Sequence, residues 1–213
     1  MKTCMPTYHP YPDDHGQPVL LRHPSTPTPL AAWTDPATAA TVIPGGDMPS
    51  ALNGIAFASW HDVPTDDAGW NGVPGQLDFE EPPFAVVPGK MAAAGVVVEE
   101  ADGRIWLVAP SNRFGGHAAT FPKGRIDGGV NLQACAIREA FEESGLQVRI
   151  TGWLADSNRT LSYTRYYRAQ RSGGTPADMG WETQAVHLVP RAQLAAFLTH
   201  PGDQPLLEKL NRA

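Results

Sequence analysis

The chain has little cysteine, no long apolar run and few cations in its first part, and each scarcity removes a class of protein. Two cysteines in 213 residues, Cys4 and Cys135, make no disulfide framework, and such sparse usage fits a reducing compartment rather than secretion. Cytosolic residence is the expectation. No apolar run approaches the roughly 20 residues of a membrane span. The start, MKTCMPTYHPYPDD, lacks the apolar core of a signal peptide, so a soluble protein with no membrane partner is expected. Residues 1 to 90 hold three basic and ten acidic residues, and 91 to 213 hold thirteen and twelve. The formal net charge of −6 therefore belongs to the first part. Binding to nucleic acid rests largely on neutralising phosphates, so a nucleic acid polymer is not an expected partner, while a local basic pocket remains open.

Proline is abundant where cations are scarce. Fifteen of the twenty-one prolines precede residue 90, in runs such as HPSTPTPL and EEPPFAVVPGK, and they exclude long regular elements there. Trp33, Trp60 and Trp70, with NGIAFASW, nevertheless supply more apolar material than a solvated tail carries. The expectation is an acidic, proline-rich, irregular extension over residues 1–88, partly ordered and packed on a second unit over 89–213. Roughly the first 25 residues are expected to be mobile.

After Lys90 the texture changes. AAAGVVVEE and RIWLVAP predict two strands, joined by a turn at Asp102-Gly103 of the kind that closes a hairpin. SNRFGGHAA reads as a loop, and TFP as a short strand leading into KGRIDGGV. Asn131 as N-cap and Gly145 as left-handed stop frame a helix at about Leu132 to Ser144. LQVRITGWLAD, TLSYTRYYRAQ and ETQAVHLV then read as strands, and PRAQLAAFL and PLLEKLNR as closing helices. Strands and helices mix in one α/β unit.

The helix carries REAFEESGL. At about 100° per residue, Glu139, Glu142 and Glu143 share an arc of roughly 100°, with Ala134, Ile137 and Phe141 opposite. Like charges so placed repel unless a cation compensates. Hard, oxygen-seeking Mg²⁺ suits them, and the same oxygens accept Mn²⁺. The alternative is a solvated charged face. Immediately upstream, FPKGRIDGGV offers main-chain amides with Lys123 and Arg125, a setting suited to phosphate.

Gly124, Arg138, Glu139, Ala140, Glu142, Glu143, Gly145 and Leu146 stand at the spacing of the signature G-x5-E-x7-R-E-U-x-E-E-x-G-U, and the stretch resembles that of the Nudix hydrolases. The likeness covers the second unit. It departs at Val130, where the signature has its first glutamate, and Ala140 is small for its apolar position. In the family that glutamate supports the arginine and the loop, so Asp127 or Glu142 is the expected stand-in. The resemblance implies an α/β/α sandwich with a mixed sheet. It also implies Mg²⁺-dependent cleavage of a diphosphate linkage in a nucleoside diphosphate joined to another group. Glu139, Glu142 and Glu143 become metal ligands, with one of them or a later acid serving as base, and Glu182, in GWETQAVHLVP, is the candidate for the later glutamate that completes the site. Lys123, Arg125 and Arg113 become substrate contacts, Tyr163 stands near a base-stacking tyrosine of dinucleoside polyphosphate hydrolases, and Gly124, Arg138 and Gly145 are structural.

FPKG, REAFEESG and NRTLSYTRYY most resemble the branch acting on dinucleoside polyphosphates and diphosphoinositol polyphosphates. ADP-ribose is the alternative, since an extension before the domain is similar to that of ADP-ribose pyrophosphatases that dimerise through it, and this leaves a homodimer open. A non-catalytic nucleotide sensor is a further alternative, favoured by Val130 and opposed by the three retained glutamates. Strand alternation sets Arg165 and Tyr167 on one face, Tyr166 and Arg168 on the other, so Arg159, Arg165, Arg168 and Arg171 cannot all line one site. His117 and His187 lack partners at zinc-like spacing and read as structural, as does Cys135.

Overall fold

A computed structural model describes residues 7–22 and 25–212, so Cys4 lies outside the described residues. In chain order the extension contributes α1 (Ala31–Thr34), β1 (Ala40–Val42), the short strands β2 (Ala51–Leu52) and β3 (Ile55–Ala56), and α2 (Asp67–Asn71). Then follow β4 (Met91–Val98), β5 (Arg104–Pro110), β6 (Lys123–Arg125), α3 (Leu132–Ser144), β7 (Leu146–Asn158), β8 (Ser162–Gly174), β9 (Thr183–Pro190), α4 (Leu194–Phe197) and α5 (Gln204–Asn211). One sheet runs β6-β4-β8-β7 and is mixed, with β4 and β8 parallel and the other pairs antiparallel. A second runs β1-β9-β5, all antiparallel, and β2 and β3 pair as a separate two-stranded sheet.

Alternation along the strands builds the layers. Val96 and Val98, Trp106 and Val108, Tyr167, Val186 and Leu188 share one core with Ala134, Ile137 and Ala140 of α3. Val97, Ile105, Leu107, Tyr166 and Val189 share the opposite core with Leu194 of α4 and Leu206, Leu207 and Leu210 of α5. Successive strand residues leave on opposite faces, and a strand buried on both faces needs a continuous apolar run, which is what GVVV and IWLVA provide. The result is the α/β/α sandwich with a mixed sheet. No helix among the described residues is long and apolar enough to cross a membrane.

α3 has the expected bounds. The Asn131 side chain accepts the Ala134 N–H at 2.9 Å, and Gly145, at φ 68°, donates its N–H to Phe141 O at 2.7 Å. Elsewhere the structure corrects the sequence. The Asp102-Gly103 turn forms, but its strands meet only at the Glu99↔Ile105 bridge and then part into separate sheets, because β5 takes β9 as its partner. TFP contributes one bridge, Thr120↔Val108. Pro122 has no N–H to donate, and the strand begins after it, pairing Lys123, Gly124 and Arg125 with Gly95, Ala94 and Ala93. Ser111–Gly116 winds into a 3-10 helix rather than an open loop, and PRAQLAAFL divides into a 3-10 turn and the four-residue α4.

The extension enters the core on the α3 side. β1 pairs with β9, and fully buried Trp33 lies 6.0 Å from both Phe57 and Trp106. Trp60 bridges Trp70 (6.0 Å) and Phe141 (5.3 Å) edge-on. Arg104 Nη2 donates to Trp33 O at 2.6 Å, and Arg165 Nη1 to Glu81 Oε2 at 2.8 Å. The first segment, expected to be mobile, pairs Tyr8 with Leu20 and buries Val19 and Leu21.

Candidate active site

The site grows from the contact of β6 with α3. A Cβ at Gly124 would overlap the Glu139 carboxylate, so glycine is what lets that carboxylate lie against the strand. Glu139 is 8% exposed. One turn on, Glu143 accepts the Lys123 main-chain N–H at 2.9 Å. Exposed Glu142 places Oε2 3.8 Å from Arg138 Nε. Glu182 arrives from the segment before β9, which is pinned where the Ser111 N–H donates to Glu182 O at 2.6 Å.

Burial, then the charges of Glu143 and Glu142, raise the Glu139 carboxyl to about 9, with Arg138 opposing. Burial raises Glu143 to about 7 against the charge and main-chain N–H of Lys123. Glu142 and Glu182 are raised as well, burial being the largest cause in each. All three helix carboxylates feel Glu182. Four carboxylates thus share one neighbourhood and resist ionising together without a compensating cation. Their oxygen chemistry and charge would suit Mg²⁺ or Mn²⁺, although among the described residues these carboxylates do not form a cluster of three ligand atoms within 4.8 Å of one another.

Arg138 is buried and spans the group. Its Nη2 donates to Asp127 Oδ2 at 3.2 Å and to Arg125 O at 3.5 Å, and lies 3.9 Å from Glu139 Oε1. Both expected stand-ins for the missing glutamate therefore reach it, Asp127 more closely than Glu142. Val130 is 5% exposed within the apolar core. At Gly145 a Cβ would collide with Thr175 O.

Of the expected substrate contacts, Lys123 lies with the carboxylates, its charge holding down Glu143 and Glu182. Arg125 is exposed at the end of β6, and Arg113 is exposed with φ 54°. Tyr163 stacks on Phe84 of the extension, with centroids 5.4 Å apart and 26° between planes, so one ring face is covered. Arg159, Arg165 and Arg171 are buried in ion pairs with Asp203, with Asp156 and Glu81, and with Glu100. Arg165 and Tyr167 both reach Glu81 Oε2 at 2.8 Å, the shared face that alternation requires. Buried His187 bonds Thr41 Oγ1 at 2.8 Å and is lowered to about 4 by desolvation. Burial pushes the Cys135 thiol up to about 12, which leaves it inert.

Sequence spacing missed two groupings. His117, His200 and Asp203 offer ligand atoms within 4.8 Å of one another. Yet Arg159 donates to Asp203 Oδ1 at 2.7 Å and lies 3.2 Å from His117 Nε2, while the Gly202 N–H donates to His200 Nδ1 at 3.0 Å. Those donors put the imidazole protons on His117 Nδ1 and His200 Nε2 and place a guanidinium in the cluster, an arrangement unsuited to a cation. The second grouping brings Asp14 from the extension, whose Oδ1 accepts the Trp181 Nε1–H at 3.1 Å beside Glu182. PDDHG signals the turn but not its destination.

A family model described as the NUDIX domain matches residues 89–210. An RNA pyrophosphohydrolase of Pseudoalteromonas atlantica is 32% identical over 92 residues, covering 43% of this chain and 51% of that protein. One of Aeromonas hydrophila is 31% identical over 87 residues, covering 40% and 47%. The chain thus spans about half the length of the curated relatives it matches. A NUDIX hydrolase of Nitrosomonas europaea, known from its crystal structure, superposes with a TM-score of 0.49 at 18% identity, covering 59% of this chain and 73% of that one.

Proposed function

The chain belongs to the Nudix family, and we propose that it is a Mg²⁺-dependent pyrophosphohydrolase cleaving a diphosphate linkage in a nucleoside diphosphate joined to another group. What supports this reading is that Glu139, Glu142 and Glu143 share one helix face and feel the charge of Glu182, with Glu143 on the Lys123 main-chain N–H and Glu139 raised to about 9 by burial and by its neighbours. When bound, Mg²⁺ supplies charge neutralisation at the anhydride oxygens and activation of water for attack on phosphorus. Glu139, Glu142 and Glu143 would hold the cation. Arg138 positions two of them, and Gly124 sets the depth of Glu139. Lys123 binds a phosphate oxygen, and Arg125 and Arg113 contact the outer part of the substrate. Glu182 lies off the helix and carries a raised proton affinity. It is the carboxylate that takes the proton from the attacking water. Tyr163, with Phe84 on one ring face, would stack a base on the other.

The favoured substrates are dinucleoside polyphosphates or diphosphoinositol polyphosphates, with ADP-ribose as the alternative. The matched relatives are named for RNA, whose phosphoric anhydride is a 5′ polyphosphate, and that substrate belongs in the same comparison. Val130 is the observation favouring a nucleotide sensor. The test is product analysis by mass spectrometry with Mg²⁺, on each of these compounds, for wild type and Glu143→Gln. Cleavage present in wild type and lost in the variant supports the proposal and names the substrate. Folded protein that binds nucleotide tightly and cleaves none of them refutes it in favour of the sensor.

A further inference from the structure

The extension grips the signature loop on both sides of Val130. Asn71, the last residue of α2, donates its Nδ2–H to Gly129 O at 2.6 Å, and its Oδ1 accepts the Asn131 main-chain N–H at 2.8 Å and the Asn131 Nδ2–H at 3.1 Å. Asn131 gives its own side-chain oxygen to the Ala134 N–H as the cap of α3, which leaves its amide hydrogens to find an acceptor outside the helix. Asn71 is that acceptor. Gly129, at φ 106°, holds a backbone conformation that suits glycine, and a Cβ there would stand 3.1 Å from Asp67 Oδ2 of α2. Val130, between them, packs into the core that Trp70 and Val73 share with α3, and its side chain has no polar group to offer the loop. Upstream, the same loop holds Arg138. Arg125 O and Asp127 Oδ2 accept from Arg138 Nη2 at 3.5 and 3.2 Å, and the guanidinium lies 3.9 Å from Glu139 Oε1 and 3.8 Å from Glu142 Oε2.

We propose that Asn71 is a positioning residue for the reaction: it fixes the far end of the signature loop and, through Asp127 and Arg138, the carboxylates of Glu139 and Glu142. The inference rests on the hydrolase reading above. Ile126 ties the near end of the loop to β4, its N–H donating to Ala92 O at 3.1 Å, and Asn71 ties the far end, so Asp127 is held between two fixed points. Released at Gly129 and Asn131, the loop would keep Asp127 on Arg138 by one exposed ion pair alone, a weak tether. The extension then serves turnover as well as packing.

The test sets Asn71→Ala in the full chain against Gln193→Ala, which removes another exposed amide bond to the extension, to Ala37 O at 2.8 Å, away from the loop. Hydrogen exchange is followed by mass spectrometry on peptides covering residues 126–131, and kcat and KM are measured with Mg²⁺ on the compound of the comparison above that wild type cleaves fastest. In Asn71→Ala, exchange across the loop quickens and kcat falls about tenfold, the low end of what groups supporting metal ligands carry, while KM and the unfolding temperature stay level. Gln193→Ala changes none of these. Asn71→Asp, which keeps the acceptor for Asn131 and loses the donor to Gly129, falls between wild type and Asn71→Ala. Combined with Asp127→Asn, Asn71→Ala loses less than the product of the two separate losses, because both act through Arg138. Wild-type kcat in Asn71→Ala, with cleavage lost in Glu143→Gln, overturns the inference and leaves the hydrolase reading standing. Losses that simply multiply in the double variant overturn it too, as does a fall in kcat without faster exchange. No cleavage by wild type overturns the hydrolase reading and the inference with it.

Discussion

The Glu139 carboxylate occupies the space that a Cβ at Gly124 would need. The glycine that opens the signature and the first glutamate of the helix are therefore a single steric constraint. Gly124→Ala is expected to swing the flexible Glu139 carboxylate out of its place at little cost in stability. Mn²⁺ affinity should fall about tenfold, the equivalent of about 1.4 kcal/mol, because the displaced group is one of the proposed ligands. Calorimetric titration checks this, and an alanine variant binding as wild type would contradict it.

Asp127 holds Arg138 at 3.2 Å, the contact expected of a stand-in for the absent glutamate. Its side chain is 76% exposed, so Asp127→Asn should cost at most about 1 kcal/mol of stability while lowering turnover more than stability, because Arg138 orients Glu142. Val130→Glu, which restores the family's residue, is expected to destabilise the chain by about 2 kcal/mol or more by burying a carboxyl in the apolar core. Urea unfolding and steady-state rates read both. A more stable Val130→Glu protein would contradict the packing account.

The raised carboxyls set the pH behaviour. Glu139 moves from 4.5 to about 9 and Glu143 from 4.5 to about 7 on folding, burial being the main cause of each. The folded state keeps protons that the unfolded state releases. Stability from these groups therefore declines as pH rises from about 4.5 through 9, with no cation present. Mg²⁺ should flatten that decline and, at pH 8, expel about one proton from Glu139 on binding. Titration in buffers of different ionisation enthalpy measures the release, and heats that do not depend on buffer would contradict it.

Much of this was legible in sequence where the cause is local. α3 ends where Asn131 and Gly145 place it, because cap and left-handed stop lie within a few residues of the groups they satisfy. The branched runs gave β4, β5 and β9, and helical spacing put three glutamates on one face. Causes at long range did not show. Nothing near Ala40 announces β9 as its partner, and nothing in TFP reveals that β6 starts after Pro122. His117 meets His200 and Asp203, and Asp14 meets Trp181, only after the chain has folded.

The extension is expected to be essential to stability. Trp33→Ala removes a fully buried ring from between Phe57 and Trp106 and should cost about 3–5 kcal/mol. Deleting residues 1–88 would also strip β1 from β9 and Glu81 from Arg165, leaving a protein that does not fold alone. Denaturant unfolding of the two forms checks this. A truncated chain as stable as the whole would contradict it.

The most direct test of the central claim is anomalous diffraction from crystals soaked in Mn²⁺. The account predicts a peak at roughly 2.1 Å from carboxylate oxygens of Glu139 and of Glu142 or Glu143, beside Lys123. A peak at His117, His200 and Asp203 instead, or none at the helix carboxylates, would contradict it.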